Sequence, residues 1–113
     1  MGTFFTSDTH FGHANIIEYS KRPYKDVKEM DEALVKNWNE TVSPTDTVYH
    51  LGDVIFSKDH SILKRLNGTI NFLYGNHDKG ASWAALDYEE IKYKGVLFVL
   101  CHYPLLTWNK ARR

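Results

Sequence analysis

The sequence has no surplus of either charge: fourteen Lys and Arg stand against fourteen Asp and Glu. A dedicated nucleic-acid module concentrates itself on phosphates through a basic excess, so no such surface is expected here. The one dense run of cations, Lys110 to Arg113, reads as a solvated chain end. Cysteine is nearly absent too. Cys101 has no second thiol to pair with, which excludes an intrachain disulfide and fits a reducing, cytoplasmic setting. No apolar run approaches the roughly 18 residues that span a bilayer, and residues 2–7 read as a strand rather than a signal peptide, so no membrane role is expected. Met-Gly-Thr-Phe-Phe-Thr fits the loose acylation pattern at Gly2, but those residues run straight into the first strand and the first functional cluster. Internal repeats, linkers and low-complexity segments are missing as well.

What is present suits one folded domain over residues 1–113. Hydrophobic residues make up 42% and aromatics 14%, a globular composition, and 113 residues hold one core but not two. Thr3 to Ser7 is short, β-branched and aromatic, and predicts a first strand. Asp26 followed by Glu29 starts a helix, along which Val27, Met30, Leu34, Trp38 and Val42 recur at helical spacing until Pro44. Thr47 to Leu51 predicts a second strand, and Ile62, Leu63 and Leu66 a short helix closed by Asn67-Gly68. Thr69 to Leu73 predicts a third strand. Strands alternating with helices predict an α/β fold with a parallel sheet. After Gly80 the pattern changes to a short helix at 81–86, a strand near Ile91 to Tyr93, a turn at Lys94-Gly95 and the apolar strand Val96 to Cys101, which reads as a hairpin strand covered on both faces.

Four clusters of metal-ligand residue types each follow a predicted strand, where open α/β sheets gather their ligands. They are Asp8-Thr-His10, Gly52-Asp53, Gly75-Asn76-His77-Asp78 and His102. Each has a plain structural alternative. Asp8 and His10, two apart at the end of an extended segment, share a face and can form a surface salt bridge as readily as meet a cation. Gly52-Asp53 can be a turn, Gly75 to Asp78 an Asx turn, and His102 a neutral core histidine. Cys101 faces away from His102 and reads as a small hydrophobe, while His50 and His60 read as structural or solvated. No GxGxxG follows the first strand, which removes a dinucleotide-binding domain.

Taken in order, these clusters resemble the motifs DxH, GD, GNHD and H of the calcineurin-like metallophosphoesterases. The resemblance runs from Phe4 to His102, and Ser-Asp-Thr-His-Phe-Gly-His-Ala-Asn-Ile-Ile at 7–17 is similar to small bacterial and phage members. It implies a four-layer α/β/β/α sandwich and two divalent cations. Asp8, His10 and Asp53 would hold the first and Asp53, Asn76 and His102 the second, with Asp53 bridging. Nitrogen and oxygen ligands without thiolate suit Mn²⁺, Fe, Ni²⁺ or Zn²⁺. The implied activity is hydrolysis of phosphoric monoesters or diesters by a two-metal-activated hydroxide, with His77 assisting the leaving group and Asp78 orienting His77. His13 and Asn15, on the loop after the first motif, are candidates to face the phosphate ester or to cap the following helix.

The family's fifth motif, GHxH, does not occur in these 113 residues. The expected second sheet is therefore incomplete and the domain C-terminally shortened relative to the family. The alternative function is a silent fold that binds metal or a partner without turnover. The uncovered hairpin predicts a homo-oligomer in which a neighbour shields it, the alternative being a monomer whose tail, Tyr103 to Arg113, folds back over that face with Leu105, Leu106 and Trp108.

Overall fold

Three short β-branched and aromatic segments set the frame: β1 (Thr3–Thr6), β2 (Thr47–His50) and β3 (Thr69–Phe72). They pair in parallel in the order β1-β2-β3, with Thr3 opposite Thr47 and Thr47 opposite Thr69. Parallel neighbours need a crossover, which the helices supply. The computed structural model describes residues 2–75, 78 and 87–107; the expected helix at 81–86 and the site candidates Asn76 and His77 lie outside them.

α2 (Val27–Thr41) follows α1 (Asn15–Tyr19) in the β1–β2 crossover. It begins as the sequence predicts: Asp26 is extended, and its carboxylate accepts the Glu29 amide at 2.8 Å, satisfying one of the free donors of the first turn. Met30 and Val35 are buried along its inner face, and Val42 caps its end. The core joins Val35 to Phe11, Val54, Ile55 and Leu66, with Trp38, Ile62, Leu63 and Ile70 packed around them.

Three expectations are revised. Asn15, placed on a loop, opens α1, a single short helix without a side-chain cap that the sequence did not predict; five residues are too few to display a period. The helix after β2 is a 3-10 turn, Ser61–Arg65, from which the chain is already extended at Leu66. The hairpin's first strand, β4 (Tyr88–Tyr93), begins three residues before its first aliphatic residue, because the antiparallel partner β5 (Val96–Cys101) extends the ladder back to Tyr88 opposite Cys101.

Lys94 and Gly95 both take positive φ, 50° and 80°, as a two-residue hairpin turn requires. The two-stranded sheet meets the parallel one through rings: Phe98 stacks on Phe5 at 5.4 Å and Phe5 on Tyr49 at 5.6 Å. The expected double cover of β5 is not seen among the described residues, where Leu100 is buried and Val96 is 55% exposed. The architecture is thus a small mixed α/β domain with a three-stranded parallel and a two-stranded antiparallel sheet. Among the described residues no helix is long and apolar enough to cross a membrane.

Candidate metal centre

The chain does not leave the sheet cleanly after β1. Asp8, His10 and Phe11 donate their amides to the carbonyls of Gly52, Asp53 and Val54 at 2.9, 3.1 and 2.9 Å, and Phe56 donates back to Phe11 at 2.8 Å. Two post-strand loops therefore run side by side, with Asp8 and His10 on one and Asp53 on the other. All three are left-handed, with φ of 56°, 54° and 55°. That conformation is uncommon outside glycine and gathers at functional sites, where the surroundings hold it. Asp8 and His10 are brought together by this pair of left-handed turns and not by the extended geometry that their spacing suggested.

A third loop closes on the second by backbone contact. Gly52 has φ of 110°, and a Cβ on it would lie 2.6 Å from the Gly75 Cα and 2.9 Å from the His102 Nδ1. A Cβ on Gly75 would run into the Asp53 amide and carboxylate. Two glycines are the condition for this approach. Asp78 then ties the loops: its carboxylate accepts the Asp53 and Gly75 amides, both at 2.7 Å, and the Val54 amide at 3.2 Å. Asp78 therefore holds the loop that carries Asp53; its expected partner His77 lies outside the described residues.

The ligand atoms converge. His10 Nε2 lies 3.6 Å from Asp8 Oδ1 and 3.7 Å from Asp53 Oδ2, and His102 Nε2 lies 3.5 Å from the same Asp53 oxygen. One ligand atom from each of Asp8, His10 and Asp53 falls within 4.8 Å of the others. Donors sharing one ion at about 2.1 Å stand roughly 3.0–3.5 Å apart, so the two distances from His10, 3.6 and 3.7 Å, are within a few tenths of an ångström of a cation shell. His102 Nδ1 sits 2.8 Å from the Leu51 carbonyl and donates to it. The lone pair of neutral His102 is then on Nε2, turned toward Asp53, the arrangement in which a carbonyl fixes a ligating tautomer.

Charge distribution favours the ligand forms. Burial pushes the Asp8 carboxyl up, but the Ser7 hydroxyl at 2.6 Å, with His102 and His10, outweighs it and lowers its pKa. Burial lowers the His10 pKa, aided by Arg22 and opposed by Asp53 and Asp8, a shift that favours the neutral imidazole. Asp8, His10, Asp53 and His102 thus lie together.

His13 lies beside them, its Nδ1 3.0 Å from that of His10 and its ring stacked on Phe56 at 4.0 Å. Asn15 is exposed on the first turn of α1. His50, expected to be structural or solvated, is structural, while the bonds that Thr9 and Asp31 make escaped the sequence reading. The Gly52 amide donates to His50 Nδ1 at 3.1 Å, His50 Nε2 is 3.0 Å from Thr9 Oγ1, and that hydroxyl donates to the Val54 carbonyl at 2.8 Å. Asp31 accepts the Gly12 amide at 3.0 Å. Its signal was a carboxylate one turn after Val27, on the apolar face of a helix.

No family model matches the chain. It is 46% identical over 106 residues to an uncharacterized protein of Methanocaldococcus jannaschii, a match covering 89% of this chain and 58% of that protein. It is 35% identical over 82 residues to the gene 66 protein of Mycobacterium phage L5, covering 67% of this chain and 39% of that one. A crystal structure of a protein of unknown function from Aquifex aeolicus superimposes with a TM-score of 0.75 at 32% identity, covering 92% of this chain and 62% of that one. The chain spans roughly four to six tenths of the length of these relatives.

Proposed function

We propose that this chain carries the metal centre of a calcineurin-like metallophosphoesterase that hydrolyses phosphoric monoesters or diesters in the cytoplasm, on the sheet architecture of a four-layer α/β/β/α sandwich. The observation supporting it is the convergence of Asp8, His10 and Asp53, with the His102 Nε2 at 3.5 Å from the same Asp53 oxygen that His10 approaches. A shared carboxylate between two imidazoles of opposite origin is what a pair of cations needs to offset its own repulsion. The donor set, nitrogen and oxygen without thiolate, suits Mn²⁺, Fe, Ni²⁺ or Zn²⁺. When bound, two such ions polarise phosphoryl oxygens and lower the pKa of water.

The chain's own groups do the rest. Asp8 and Asp53 supply the negative charge that retains the cations, His10 and His102 present their Nε2 lone pairs, and His13 adjoins the first site. Asn76 completes the second set, and His77 protonates the departing oxygen.

Titration calorimetry with Mn²⁺, paired with hydrolysis of generic aryl phosphomonoesters and phosphodiesters under chelator control, tests this. Wild type is expected to take up metal and Asp53→Asn to lose that uptake; unchanged uptake in the variant would remove the bridging role. His77→Ala is expected to keep metal and lose about 10²- to 10⁴-fold in rate. Equal loss of both would make His77 a ligand.

A further inference from the structure

Between the first ligand loop and α2 the chain makes a closed excursion through α1 and returns at Arg22. Ser20 and Arg22 donate their amides to the carbonyls of Ile16 and Ile17, both at 2.9 Å, and Lys21 turns left-handed with φ of 50°. That turn sends the Arg22 side chain back to where the excursion began. Its guanidinium forks across two successive carbonyls: Nη2 donates to the Asp8 carbonyl and Nη1 to the Thr9 carbonyl, each at 2.8 Å. Nη1 also lies 3.5 Å from Sδ of Met30, which is wholly buried on α2.

We propose that Arg22 is a positioning residue for the metal ligands, setting the left-handed backbone of the Asp8–His10 loop before any cation arrives; this rests on the metal-centre reading above. The argument is geometric. The two accepting carbonyls bracket Thr9, and the two residues flanking Thr9 are the ligands with positive φ. Left-handed backbone at non-glycine residues costs energy and persists only where neighbours over-determine it. A planar fork with two parallel N–H donors meets two carbonyls at a fixed separation, which a single ammonium does not. The guanidinium is itself anchored on α2 through Met30, so the longest helix of the domain braces the loop. Loss of a group that orients ligands commonly weakens metal affinity about 10- to 100-fold.

The test compares wild type, Arg22→Ala and Arg22→Lys by Mn²⁺ calorimetry, with circular dichroism and urea unfolding of each metal-free protein. Folded Arg22→Ala is expected to bind Mn²⁺ about 10- to 100-fold more weakly, Arg22→Lys to recover only part of that loss, and millimolar methylguanidinium to restore Arg22→Ala toward wild type. Three results would overturn the proposal: an unchanged Mn²⁺ affinity in Arg22→Ala with reduced unfolding stability, full recovery by lysine, or no response to methylguanidinium. Should Arg22→Ala fail to fold, Arg22→Lys decides alone, since wild-type affinity there rules out the fork. Absence of Mn²⁺ uptake by wild type itself would instead defeat the metal-centre reading.

Discussion

Gly52 and Gly75 carry a consequence out of proportion to their size. Each lies where a single added carbon would meet another loop's backbone or a ligand side chain. Gly52→Ala is expected to destabilise the fold by about 1–3 kcal/mol, measurable by urea unfolding, and to weaken Mn²⁺ uptake because Asp53 and His102 are pushed apart. His50 offers a second residue-scale test. It is completely buried, and burial pushes its pKa down to about 4. Because the folded value lies below the unfolded one, the unfolded chain binds the extra proton between about pH 6.5 and pH 4. The stabilisation is whole above pH 6.5 and is lost as pH falls toward 4. In chelator-treated protein, the stability advantage of wild type over His50→Gln is expected to shrink across that window by on the order of 2–3 kcal/mol.

At the scale of elements, α2 was legible because cap and period agree: Asp26 and Glu29 mark its start, and the apolar residues repeat as a helix face does. The three parallel strands were legible from β-branched runs ending in polar clusters. α1 was not, being a single turn and a half held mainly by main-chain bonds. The candidate ligands could be named in order because each follows a predicted strand, yet the left-handed backbone of Asp8, His10 and Asp53 left no trace in spacing, since residues two apart share a side in an extended segment as well. The Thr9–His50 bond, 41 residues apart in sequence, belongs to the tertiary structure and has no local signature. It makes a specific demand. Thr9→Val leaves the Val54 carbonyl and His50 Nε2 without their common partner inside the core, so a loss of about 1–3 kcal/mol is expected in thermal unfolding, whereas Thr9→Ser should retain most of the stability.

For the whole molecule, the proposed metal uptake would be linked to folding, because the unfolded chain scatters the residues that three loops assemble. Mn²⁺ at one hundred times its dissociation constant is expected to add about 2.7 kcal/mol, a rise of roughly 10 °C in the unfolding midpoint, reversed by chelator and absent in Asp53→Asn. The homo-oligomer expected from the sequence would form around β5 and the residues after it, where Val96, Tyr103 and Leu106 are 55%, 53% and 102% exposed. Light scattering at micromolar concentration is expected to give at least twice the chain mass, and a monomer that still loads metal would rule that arrangement out.

The positive φ of Asp8, His10 and Asp53 also bears on how such a protein could change over generations. Asparagine accepts a left-handed backbone as readily as aspartate does. A mutation from Asp to Asn at 8 or 53 would therefore remove a ligand's charge while leaving the loop undisturbed. Chemistry and fold can be separated here by one nucleotide change in a codon. Descendants altered in this way would remain folded scaffolds open to another task, whereas a change to valine at the same positions would be purged for its effect on the backbone alone.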